Sequence, residues 1–272
     1  MRRFTNLDFT LGKYEQLCDA MCSHGYIVTT VAGYFDNHDT RQKVIVLRHD
    51  VDLVSSRALR MARLEHNFGI KATYYFRFNR RAFQPHLVRE IASMGHEIGY
   101  HYEVLDKAKG NYEEAIHTFG YELEQIRKVA EVKTICMHGN PLTKWDNRAL
   151  WRKYNFKEFG LLGEAYLSFN DITYFSDTGR TWSGRNNVKD WFPPAQDVGG
   201  NLEHVVITST DNVIDLIKKG QLEQVYLLVH PDRWSDNLLR WSADLMKDMA
   251  RNTAKRLFGL RRQELQDIND EY

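Results

Sequence analysis

Four short stretches hold the side chains that could do chemistry: HDVD at 49–52, HEIGYHYE at 96–103, MHGNP at 137–141 and LLVHPDRW at 227–234. Each approaches through apolar residues and ends in His or Asp. A set of carboxylates and imidazoles suits Zn, Fe, Co, Ni or Mn, with coordination positions left for water. Such an ion polarises a carbonyl and lowers the pKa of bound water. A carboxylate away from the ion could take the proton of that water, and a second imidazole could protonate a leaving group. The residue types therefore point to metal-assisted hydrolysis. A single His at a strand end is an ordinary structural feature, but four such ends converge on one mouth if the strands are parallel neighbours.

The intervening pattern supplies those strands. VIVLR at 44–48, KATYYFR at 71–77, HEIGYH at 96–101, VKTICM at 132–137 and QVYLLV at 224–229 read as strands. Helical periodicity falls at 11–24, 54–68, 86–94, 111–130, 147–154 and 211–219, the last with Thr210 or Asp211 as N-cap, and in a long C-terminal helix at 237–268. Strand–helix alternation of this kind is the signature of parallel βαβ units, whose ligands sit at the C-terminal ends of the strands. The stretch 161–209 is less regular and reads as short strands and long loops. No linker or repeat divides the chain, so residues 1–272 are expected to form one domain with the first and last helices packed on it.

Composition narrows the classes. The 272 residues carry 37 Lys+Arg against 36 Asp+Glu, a formal charge of +1, which gives no reason to expect a nucleic-acid partner. Hydrophobic content of 43% with 27% charge is that of a globular protein rather than a disordered or multispan one. Cys18, Cys22 and Cys136 are too few for a disulfide framework, and the first two read as small buried apolar residues of the first helix. No apolar run approaches the ~20 residues of a membrane span, and the N-terminus lacks the apolar core of a signal peptide. A cytoplasmic location is expected.

On VIVLRHDVD, FGIKATYYF and GHEIGYHYE, the chain resembles a divergent member of the polysaccharide deacetylase superfamily, the NodB-homology carbohydrate esterases. It is most similar to the HDVD-containing branch found with O-antigen and surface-polysaccharide biosynthesis. The resemblance spans roughly residues 44–234. It implies a distorted (β/α) barrel of about seven parallel strands, a bound divalent metal with zinc first among the candidates, and hydrolysis of an N-acetyl group.

Residue by residue, Asp50 matches the general base. Val51 stands where the family has its metal aspartate, and Asp52 follows one place late, supplying the ligand by a local change in the turn; the reverse assignment of the two aspartates stays open. His101 matches the first metal histidine. Leu105 occupies the place of the second, so His138 is expected as the third ligand, with Glu103 as the alternative. His230 matches the catalytic histidine of the late motif and would be the general acid. FSDTGRTW at 175–182 resembles a segment lining the site, with Asp177 orienting a catalytic residue and Trp182 forming a sugar platform.

Plainer readings stand beside these. Arg48 shares a strand face with Asp50 and is either its ion-pair partner or a substrate contact. Asn140 either contacts substrate or makes the turn before Pro141. His49 and His96 are expected to be structural, and Glu97 to reach the barrel bottom or solvent. The substrate implied is an acetamido sugar in a nucleotide-linked or lipid-linked precursor or an oligosaccharide. Two rivals remain: hydrolysis of another C–N bond such as a cyclic amide, and a carbohydrate-binding protein that has lost catalysis.

Overall fold

The computed structural model describes residues 7–36, 42–140, 143–169, 172–184, 189 and 207–257. Its centre is a sheet in which every pairing is parallel. The strands are β1 (Ile27–Thr29), β2 (Val44–Val51), β3 (Thr73–Arg77), β4 (Glu97–Tyr102), β5 (Val132–Met137), β6 (Gly163–Glu164), β7 (Thr173–Ser176) and β8 (Gln224–Val229). Their order is β6-β5-β4-β3-β2-β8-β7, and β1 pairs with β2 off this path. Seven strands curl into the distorted (β/α) barrel expected from the sequence, with no pairing between β6 and β7 among the described residues.

Strand β2 is the spine. All eight of its residues are buried, as a parallel strand covered on both faces requires. Its first half pairs with β1 (Ile27 with Val44) and its second half with β3 (Arg48 with Thr73), while β8 runs along its other edge from Val44 to His49. Strand β1 escapes a sequence reading because three residues are too short to show a period.

Helices α1 (Leu11–Ser23), α2 (Val31–Asp36), α3 (Ser55–Asn67), α4 (Pro85–Ser93), α5 (Val104–Lys107), α6 (Tyr112–Arg127), α7 (Thr210–Lys219) and α8 (Leu238–Leu257) flank the sheet. Most match the periodic segments. Three details differ. The cap of α7 is Ser209, whose side chain accepts from Asn212 N while Asn212 answers in a capping box. Residues Asn147–Arg152 form a 3₁₀ turn rather than an α-helix. Cys18 is buried as expected, but Cys22 is exposed, because it lies on the solvent side of α1 next to its C-terminal end. The part of the C-terminal helix expected beyond residue 257 lies outside the described residues.

The barrel interior is polar at its base. Glu97 accepts from Thr73 Oγ1 at 2.7 Å, from Ala32 N at 2.9 Å and from the Thr134 hydroxyl. The Tyr75 hydroxyl reaches Thr134 Oγ1 at 2.7 Å, so its ring spans the interior. It can do so because position 99 is glycine: a Cβ there would lie 2.2 Å from two ring atoms of Tyr75. The β4–β5 register shifts between Ile98 and Tyr100, at the same glycine. Glu97 therefore belongs to the barrel bottom, as one of its two readings had it.

Candidate active site

Side chains alternate along a strand, so residues two apart share a face. On β2 this rule puts Arg48 and Asp50 inside the barrel and His49 and Val51 against the outer helices. Asp52, two past Asp50, falls on the inner side just beyond the strand end. The spacing in HDVD thus keeps both aspartates on one side, which two adjacent aspartates on a strand would not do. The same count sets His101 on β4 in line with Glu97 and Gly99, and His138 in line with Thr134 and Cys136. The strands that lead to Asp177, His230, Asp50, His101 and His138 are β7, β8, β2, β4 and β5, neighbours in the sheet except that β3 lies between β2 and β4.

Asp52, His101 and His138 offer ligand atoms within 4.8 Å of one another. Asp52 Oδ1 lies 3.6 Å from His101 Nε2 and 3.6 Å from His138 Nε2. Donors bound tetrahedrally at ~2.1 Å would be about 3.4 Å apart, so the spacing suits a shared cation. Asp52 Oδ1 is also buried without a hydrogen-bond partner. A buried carboxylate oxygen left bare is costly unless a cation satisfies it. His101 Nδ1 faces the Cys136 carbonyl at 3.1 Å, which fixes the ring and leaves Nε2 available. These residues fit a divalent ion with N and O ligands.

Glu103 lies on the far side of His138. Its Oε2 is 3.3 Å from His138 Nδ1 and 2.5 Å from Arg77 Nη2, and its Oε1 is 3.6 Å from Lys107 Nζ. It belongs to neither convergent group, Asp52–His101–His138 or Asp50–His101–Cys136, and stands behind His138 as an ion-pair neighbour. Burial alone would raise its pKa, but His138, Arg77 and Lys107 hold it at about 2. The sequence reading did not anticipate Arg77, although its place at the end of β3 follows the same rule as the other site residues.

Asp50 has a different environment. Both of its oxygens accept from Arg48, Oδ1 from Nε at 2.8 Å and Oδ2 from Nη2 at 2.7 Å. Arg48 is completely enclosed and also bonds the hydroxyls of Tyr166 at 2.9 Å and Tyr226 at 3.2 Å. It does not reach the mouth, so the ion-pair reading replaces the substrate contact. Burial would raise the pKa of Asp50, and the guanidinium, followed by His101, more than offsets that and keeps it below the ordinary carboxylate range. Removing one member of a buried pair of this kind typically costs ~3–5 kcal/mol.

His230 and Asp177 form a second unit. Asp177 is fully buried and accepts four hydrogen bonds: from His230 Nδ1 at 2.6 Å, His230 N at 3.0 Å, Arg233 Nη1 at 2.7 Å and Trp234 Nε1 at 2.9 Å. Burial raises its pKa, but Arg233 and His230 outweigh burial and bring it down to about 2. A short 3₁₀ turn, Pro231–Arg233, folds back on His230 to deliver these partners. Arg233 and Trp234 stand in the LLVHPDRW stretch, yet nothing in their spacing announces that they hold Asp177. With Nδ1 engaged, Nε2 is the nitrogen of His230 left to exchange a proton.

His230 and Asp52 line one cavity of about 600 Å³. Trp182 takes no part in it. Its side chain is buried, and its indole N–H donates to Thr210 Oγ1 at 3.0 Å, so it packs α7 rather than presenting a sugar platform. The carbonyl of Asn140 accepts from the Thr143 hydroxyl at 3.2 Å and so takes part in a turn. His49 is structural, as expected. It is enclosed on the outer face, 2.7 Å from Glu65, which also accepts from Tyr74 at 2.7 Å and from Tyr14. His96 lies in the same network, with Nε2 3.0 Å from the Ala62 carbonyl.

No protein-family model matches the chain, and no curated protein matches it. Three solved structures to which it is similar are carbohydrate esterases or deacetylases. The family 4 carbohydrate esterase from Bacillus anthracis is 15% identical over 95% of this chain and 94% of that one, with a TM-score of 0.38. The Bc1960 peptidoglycan N-acetylglucosamine deacetylase, in complex with a naphthalenyl N-oxidanyl-benzamide, is 18% identical over 87% and 90%, with a TM-score of 0.41. Bacillus subtilis PdaA, a family 4 carbohydrate esterase, is 16% identical over 85% and 83%, with a TM-score of 0.41.

Proposed function

We propose that the chain is a metal-dependent hydrolase that removes the N-acetyl group of an acetamido sugar, carried on a saccharide or polysaccharide precursor. The observation that carries this reading is the bare, buried Oδ1 of Asp52 at 3.6 Å from two imidazole nitrogens, in a cavity that also holds a carboxylate-anchored histidine. A divalent ion held by Asp52, His101 and His138, zinc first among the candidates, would polarise the acetamide carbonyl and make water a nucleophile near neutral pH.

The chain's own residues divide the proton transfers. Asp50, held ionised by Arg48, accepts the proton of the attacking water. Asp50 also groups with His101 and Cys136, but both its oxygens accept from Arg48, whereas Asp52 Oδ1 has no hydrogen-bond partner, which favours Asp52 as the ligand. His230, with its Nδ1–H bound to Asp177, delivers a proton from Nε2 to the departing nitrogen. The C–N bond then breaks to give acetate and a free amine. Without that proton, the tetrahedral adduct would expel water rather than amine.

The test compares three variants for metal content and for acetate released from acetamido sugars. Asp52→Ala should lose most bound metal. Asp50→Asn should keep it and lose turnover. His230→Ala should keep it and lose ~10²–10⁴ of the rate on amides, and much less on an activated ester. Equal metal loss in both aspartate variants would refute the division of roles. Ring opening of a cyclic amide without acetate release, or metal-loaded protein that binds sugar and releases nothing, would refute the reaction.

A further inference from the structure

The lining of the cavity, among the described residues, is charged rather than aromatic. Among the described residues no Trp, Tyr or Phe lines it, although stacked aromatic faces are the usual apolar platform for a sugar ring. Its lining carries Arg57, Arg80, Arg81, Arg233, Lys247 and Arg251 against Asp52, Asp232, Asp244 and Asp248, so the cations are in excess. Arg80 and Arg81 follow β3 on one side, and Lys247 and Arg251, four apart on α8, stand on another.

The charges in these walls are unevenly satisfied. The Asp244 carboxylate is held by Arg57 at 2.8 Å, and that of Asp248 by Arg180 at 3.1 Å. Lys247 and Arg251 are left at 3.7 and 3.6 Å from those same carboxylates, and both are largely exposed. Arg233 is committed to Asp177. The side chains of Arg80 and Arg81 have no ion pair or hydrogen bond among the described residues, and both are exposed. Two unpaired guanidinium groups and two loosely held cations thus line one cavity together with Asp52 and His230.

We infer that this cavity binds a phosphate or diphosphate ester belonging to the substrate, with Arg80 and Arg81 on one side, Lys247 and Arg251 on the other, and the acetamide at Asp52 and His230. The planar fork of arginine matches phosphate oxygens in pairs, and a diphosphate presents enough of them to engage both walls. This rests on the deacetylase reading and narrows it to a phosphate-bearing sugar. Its amine product would then pass to a reaction that consumes an activated sugar.

The test is a calorimetric titration of metal-loaded protein with inorganic pyrophosphate at fixed ionic strength, which reads binding and not turnover. The double variant R80Q/R81Q should weaken binding by at least about tenfold, the effect of losing one charged hydrogen bond. Both side chains are exposed, so folding is not at stake. D52N should still bind. Undiminished binding in R80Q/R81Q, or loss of binding in D52N alone, would overturn the proposal, the latter by placing the anion on the metal. An acetamido sugar 1-phosphate should bind in the same arginine-dependent way, and arginine-dependent binding of only the corresponding uronic acid would overturn it. A nucleoside-diphosphate sugar and a polyprenyl-diphosphate sugar in detergent separate the two carriers: dependence for either upholds the site, for neither overturns it. Arginine-dependent pyrophosphate binding without acetate release would leave the anion site standing and remove the deacetylase.

Discussion

Replacing Asp177 by Asn should weaken the fold and the reaction through one lost charge. The amide preserves the shape of the carboxyl, so the cavity term is small. What goes is the anion that accepts four hydrogen bonds and faces Arg233 at 2.7 Å. The lowering of the Asp177 pKa from 3.8 to about 2 corresponds to roughly 2.5 kcal/mol of native-state stability at neutral pH. The group is fully buried, so solvent screening takes little from that figure. Because the folded-state pKa is depressed, this stability is present above the unfolded pKa and is lost as the pH falls through the folded one. About half should be gone by pH 3. Urea unfolding of wild type and Asp177→Asn at pH 7 and pH 3 measures it: the difference between the proteins should shrink by roughly 1 kcal/mol over that interval. Asn can also turn its NH₂ toward His230 Nδ1 and favour the other tautomer, so acetate release should fall within the ~10²–10⁴ range of general acid catalysis while metal content holds. An unfolding difference that is the same at both pH values would refute the electrostatic reasoning.

Glu103→Gln should lower metal affinity by ~10–100-fold without removing a ligand, because it weakens the brace behind His138; competition with a chromogenic chelator reads this, and an unchanged affinity would mean that Glu103 does not orient the ring. Gly99→Ala should destabilise the protein by about 1–3 kcal/mol, since its Cβ would meet the Tyr75 ring at 2.2 Å. Thermal unfolding checks it, and adding Tyr75→Leu should recover part of the loss.

The sequence alone determined the parallel architecture and the strand ends that matter. Apolar runs such as VIVLR and QVYLLV, separated by helical periods and closed by His or Asp, carry that information locally, because period and composition belong to single segments. The sequence also placed Asp50 and Asp52 together at the end of β2, where the strand stops at Val51 and the chain bends at Asp52. Which groups touch was decided only by the tertiary structure. Arg48, open between two roles, is an enclosed partner of Asp50 because Tyr166, from the segment after β6, and Tyr226, from β8, close over it. Glu103 stands apart from Asp52 and His101 because Arg77 and Lys107 draw its carboxylate to the far side of His138. Trp182 turns to Thr210, and Arg233 and Trp234 turn to Asp177, through contacts between residues tens of positions apart. Pairings of this kind depend on strand order and the curl of the sheet, which are set by the whole core and are written in no single segment.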